Sequence, residues 1–101
     1  MIPAIDRYHK WLDQHFPKRS CHTAQKKLIE EMNELREAIE LGNNLAVAHE
    51  CVDVVLVICD LFHLGGASLE IACANKIMAV MRKVEHGAWP KPDDPIQGGR
   101  P

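Results

Sequence analysis

The chain has 101 residues, room for one domain around a modest core, and 47% of them are hydrophobic, which points to a folded globular protein. Twelve basic residues against fourteen acidic ones leave a formal charge of -2, too even a balance for a protein that coats nucleic acid. An aromatic content of 5% argues against a base-stacking RNA-binding sheet.

The pattern predicts four helices. The first covers about residues 3–16: Pro3 suits a first helical turn, Ile5, Tyr8, Trp11, Leu12 and His15 or Phe16 form an apolar stripe, and Pro17 stops it. The second covers about 23–41, with Thr23 as N-cap and Gly42 at its end; Leu28, Met32, Leu35 and Ile39 recur as one buried stripe. The third covers about 45–64, after Asn43-Asn44. Its run Val54 to Cys59 is apolar all round and also fits a buried strand. Helix is preferred because apolar positions continue from Val47 to Leu64 without a turn signal. An all-round apolar helix in so small a chain calls for cover by a partner subunit. Gly65-Gly66 breaks the chain, and the fourth helix covers about 68–86, with Ser68 as its cap and Leu69, Ala72, Cys73, Lys76, Ile77, Val80 and Val84 at helical spacing. The expected organisation is a helical domain over 1–89 and a Pro/Gly-rich tail over 90–101.

The cysteines Cys21, Cys51, Cys59 and Cys73 contain no Cys-x-x-Cys pair, so no zinc knuckle is expected, and the last three lie in apolar runs as small core residues. The first seven residues hold no apolar signal core, and the longest uncharged run is too short to cross a bilayer. The expectation is a reduced, cytoplasmic protein with no membrane or nucleic-acid partner.

Two acidic pairs carry the chemistry. Glu31 and Glu34, then Glu50 and Asp53, are each three residues apart, so both members of a pair project from one side of a helix. A short Gly-Asn-Asn loop makes the second and third helices antiparallel neighbours, which permits the pairs to meet. Either pair alone is an ordinary solvated face. Together, beside apolar stripes, four carboxylates repel one another unless a cation or a proton intervenes. A hard divalent cation such as magnesium takes oxygen ligands and keeps open positions for phosphate. Asp60, seven residues beyond Asp53, extends that side of the third helix. Lys18-Arg19 and Lys26-Lys27 read as solvated basic runs, with Lys26 or Lys27 in reach of a phosphate at the start of the second helix.

The stretch Lys27-Leu28-Ile29-Glu30-Glu31-Met32-Asn33-Glu34-Leu35-Arg36-Glu37-Ala38-Ile39, followed by His49-Glu50-Cys51-Val52-Asp53-Val54-Val55, resembles the MazG-like nucleoside triphosphate pyrophosphohydrolases. Their signature is Glu-x-x-Glu, a spacer, then Glu-x-x-Asp, and the likeness extends over roughly Thr23 to Trp89. It implies an all-α, four-helix MazG-like bundle completed by dimerisation or a tetramer, and hydrolysis of a (d)NTP to (d)NMP and pyrophosphate with magnesium, or manganese in its place. Glu31, Glu34, Glu50 and Asp53 are the metal ligands the resemblance implies, and Glu34 or else Glu30 the base that takes a proton from water. On the fourth helix, Lys76 matches a phosphate-facing lysine, Val80 stands where the family has Asn, and Lys83, with Arg82 beside it, stands where the family has Arg. Lys27 is a further phosphate contact, and Trp11 and Trp89 are candidates to stack on a base. Rival readings are a phosphoribosyl-ATP pyrophosphatase, a non-catalytic helical interaction module and, last, a di-metal redox bundle.

Overall fold

A computed structural model describes residues 2–87. Among them the chain forms four α-helices and no strand: α1 Pro3–His15, α2 Cys21–Leu41, α3 Asn44–Gly65 and α4 Leu69–Glu85. The fold is therefore all-α, and the β-branched run Val54 to Cys59 is helical. The expected tail over 90–101 and the candidate Trp89 lie outside the described residues. α1, α2 and α3 form one compact unit and α4 belongs to a second.

Local chemistry sets the helix ends. Pro3 opens α1, where its missing N–H costs nothing. α2 begins two residues before the expected start, because Ser20 rather than Thr23 is the N-cap. The Ser20 side chain accepts from the Thr23 backbone N–H at 3.3 Å, while the Ser20 N–H donates to the Thr23 hydroxyl at 2.9 Å. The reciprocal pair is a capping box, with Thr23 as its inner member. Gly42 ends α2 at φ 69°, a left-handed conformation that other residues adopt only with strain. Asn43 then caps α3 by accepting from the Ala46 N–H at 3.1 Å. α2 and α3 thus form an antiparallel hairpin with a two-residue link, and α1 packs against α3.

The seam of the hairpin is rotated from the expected one. Met32 and Ile39 are more than half exposed, whereas Ala24, Glu31 and Ala38 are buried and Leu28 and Leu35 half-buried. Glu31 thus lies inside the seam rather than on its shoulder. On α1 the buried face is His9 and Leu12, with Ile5 half-buried, while Tyr8 and Trp11 are 37% and 47% exposed. Of the three cysteines expected inside, only Cys59 is buried; Cys51 and Cys73 are exposed. α4 carries Glu70 in its first turn and Arg82 and Lys83 in its last, charges that complement the helix dipole, and none of its residues is buried. No helix among the described residues is long and apolar enough to cross a membrane.

Candidate metal centre and adjoining cavity

The α2–α3 hairpin brings the two acidic pairs together. Each of Glu31, Glu34, Glu50 and Asp53 offers a carboxylate oxygen, and these four atoms lie within 4.8 Å of one another. Burial is graded across the cluster: Glu31 is buried, Glu50 is half-buried and Glu34 is exposed. The site thus has a closed floor and an open mouth.

Its electrostatics are incomplete. Lys27, one turn before Glu31, donates to Glu31 Oε1 at 2.8 Å and brings a positive charge to the floor. That hydrogen bond holds the Glu31 carboxyl below its ordinary range. The other Glu31 oxygen, Oε2, is buried with no donor, as is Oε2 of Glu50. A carboxylate oxygen left this way costs free energy that a donor or a cation would recover. Glu34 is pushed the other way. Its hydrogen bond with Glu31 and the negative charge of Glu31 raise its pKa, and Glu50 adds to the effect. The crowding of the carboxylates thus raises the affinity of Glu34 for a proton. An all-oxygen donor set with two unpartnered buried oxygens fits a hard divalent cation.

The other residues expected at the site lie elsewhere or outside the cluster. Glu30 is two-thirds exposed and 3.9 Å from Lys27. Trp11 is about half exposed and stacks on His15 at 4.4 Å and on Tyr8 at 6.3 Å between ring centroids. Lys76, Arg82 and Lys83 are on α4, in the second unit, and all are exposed.

Beside the cluster, among α1, α2 and α3, is a cavity of about 370 Å³. Tyr8, Leu12, Phe16 and Leu56 give it apolar walls, and Lys27, Arg19 and Asp60 give it charge. Asp60 is buried on α3. Arg19 donates to both of its oxygens, from Nε at 3.3 and 3.0 Å and from Nη2 at 2.8 Å. Arg19 also meets Asp13 at 2.9 Å, and Asp13 meets His63 at 3.0 Å. The His63 ring stacks on the buried His9 ring at 4.5 Å. Arg19 is therefore no solvated basic residue, and Asp60 faces an arginine rather than the acidic cluster. His9 could have been found from its place between Ile5 and Leu12 on the α1 stripe. The Arg19–Asp60 contact spans 41 residues and leaves no periodic trace.

The comparisons agree with this geometry. No curated protein and no solved structure matches the chain. The family profile described as phosphoribosyl-ATP pyrophosphohydrolase matches residues 6–79, which include most of α1, the acidic hairpin and the first part of α4. With its all-α fold and that match over most of its length, the chain belongs to the phosphoribosyl-ATP pyrophosphohydrolase family, within the MazG-like all-α nucleoside triphosphate pyrophosphohydrolase superfamily.

Proposed function

We propose that the protein is a magnesium-dependent nucleoside triphosphate pyrophosphohydrolase that cleaves a (d)NTP to (d)NMP and pyrophosphate in the control or sanitation of a nucleotide pool. The observation that carries this reading is the convergence of four carboxylate oxygens within 4.8 Å, two of the residues having a buried oxygen without a donor. A site so acidic repels a polyphosphate unless cations stand between them. Glu31, Glu34, Glu50 and Asp53 are the residues that would hold magnesium, or manganese in its place. When bound, such an ion supplies charge neutralisation of the phosphates and a lowered pKa for an attacking water.

The chain's own groups supply the rest. Glu34 stands at the open mouth with a carboxyl whose affinity for protons is already raised by Glu31, which suits it to take a proton from water. Glu30 is less suited, since it points to solvent beside Lys27. Lys27 reaches the floor of the site and is placed to exchange Glu31 for a phosphate oxygen. Lys76, Lys83 and Arg82 are further candidates for the outer phosphates, and Trp11 for a contact with the base. The exposed apolar residues Val52, Val55, Met32 and Ile39 favour a dimer or tetramer in which partner copies cover them.

A second reading has its own support. The matching profile is that of phosphoribosyl-ATP pyrophosphohydrolase, so phosphoribosyl-ATP is the other candidate substrate, cleaved with the same loss of pyrophosphate. One assay tests both. The protein is incubated with magnesium and each dNTP, ATP or phosphoribosyl-ATP, and products are resolved. Monophosphate with pyrophosphate is expected; release of orthophosphate alone, or no turnover of any nucleotide, rejects the mechanism.

A further inference from the structure

The cavity beside the acidic cluster has a direction set by helical register. On α2, Thr23, Ala24 and Lys27 line it and precede Glu31 by one to two turns. On α3, Leu56, Val57 and Asp60 line it and follow Asp53 by one to two turns. Because the helices are antiparallel, both runs lead from the cluster towards the same end of the hairpin. Seven residues separate Asp53 from Asp60, about 10 Å along a helix. A ligand held by its phosphates at the cluster and running towards that end of the hairpin reaches this cavity, whose volume falls in the range of small-molecule sites.

The walls suit a flat ring. Tyr8, Leu12, Phe16 and Leu56 are apolar or aromatic, and a base placed among them gains stacking and burial. The polar end is specific. Asp60 is an acceptor-only group set 7% exposed among apolar residues, and Arg19 fixes its orientation along one edge with three N–H···O contacts. A carboxylate has about four lone-pair positions, so Asp60 keeps acceptor capacity beyond that edge. The group of a base farthest from its sugar phosphate is the substituent at position 4 of a pyrimidine or position 6 of a purine. Cytosine and adenine carry an amino donor there. Uracil, thymine and hypoxanthine carry a carbonyl oxygen, which would meet the carboxylate lone pair to lone pair.

We infer that this cavity receives the base of the substrate, and that Asp60, held by Arg19, selects bases that present an amino group. The assignment rests on the pyrophosphohydrolase reading for the identity of the ligand and adds its base class.

Binding of monophosphates, measured by titration calorimetry, tests the pocket without turnover. The wild-type protein is expected to bind dCMP more tightly than dUMP, or dAMP more tightly than dIMP, by roughly tenfold or more. Asp60→Asn, which keeps the shape and one acceptor for Arg19, is expected to erase most of that preference. Equal binding within both pairs by the wild-type protein overturns the assignment whether or not the variant folds. So does a preference that Asp60→Asn leaves intact. Preferential dCMP binding with no release of pyrophosphate from dCTP and magnesium supports the pocket and counts against the hydrolase reading.

Discussion

Lys27 and Glu31 meet at 2.8 Å across one turn of α2, and only one oxygen of the carboxylate is served by the contact. The buried acid is thus half compensated by a side chain that is itself mostly in solvent. Such an arrangement suits a site that must accept a second cation. The lysine keeps Glu31 ionised, and its long stem lets it leave when stronger charges arrive.

Lys27→Met should therefore lower the thermal stability of the metal-free protein, because Glu31 loses its donor while staying buried. The same variant should show a larger stabilisation on adding magnesium than the wild type does. Melting temperatures with and without the ion check both effects. An equal increment in the two proteins would show that Lys27 does not compensate the cluster.

Glu50→Gln tests the cluster from the other helix. The substitution removes one of four crowded negative charges at nearly constant volume, so the metal-free fold should survive with an unchanged or slightly higher melting temperature. Stabilisation by magnesium or manganese should fall by roughly 1–2 kcal/mol at ion concentrations well above the dissociation constant. Nucleotide hydrolysis should be lost. A variant that hydrolyses at the wild-type rate would remove Glu50 from the site.

The acidic pairs were legible because a three-residue spacing on a helix fixes relative direction locally, before any packing is known. The length of α3 was legible for a similar reason, since no turn signal interrupts Val47 to Leu64. The rotation of the seam was not. Periodicity places Met32 and Ile39 inward and Glu31 on the shoulder of that stripe, whereas in the fold Ala24, Glu31 and Ala38 are the buried positions. The pairing of Arg19 with Asp60 was hidden too, because it depends on where the α1–α2 connector returns against α3. Local sequence carries no record of that return.

Arg19 and Asp60 also bear on stability. Both side chains are about nine-tenths covered, and removing one leaves the other charge buried without its partner. Asp60→Ala should cost about 3 kcal/mol in urea unfolding. Arg19→Ala should cost a similar amount, and the double variant should cost clearly less than the two single costs added, since either change already breaks the pair. Strict additivity would mean that the contact contributes nothing to the folded state.

Val52 and Val55 stand on the exposed side of α3, at 56% and 49% exposure. Apolar groups of this size repeated along one helix are the expected signature of a face covered by a second copy. Light scattering after gel filtration should give a mass of at least two chains. Val55→Glu should shift the species towards the monomer and lower the melting temperature. A monomeric wild-type protein at concentrations of roughly 100 μM would reject the assembly.

Acid should weaken the fold in two stages. His9 is buried, and its pKa is lowered from 6.5, first by desolvation and then by the neighbouring His63. Asp60 on α3 and Asp6 on its own helix oppose that shift, while Arg19 reinforces it. Below pH 6.5 the unfolded chain takes up a proton that folded His9 resists, so the unfolded state binds more protons and stability falls as pH falls. Asp13 acts lower down. Its hydrogen bonds with His63 and Arg19 depress its pKa below 3.8, so its contribution is present above that value and is lost as pH falls through the depressed one. Urea unfolding at pH 7.5, 6.5 and 5.5 should show stability flat between the first two and lower at the third. His9→Asn should flatten the second interval, because the amide does not titrate. A slope that His9→Asn leaves unchanged would place the acid sensitivity in another group.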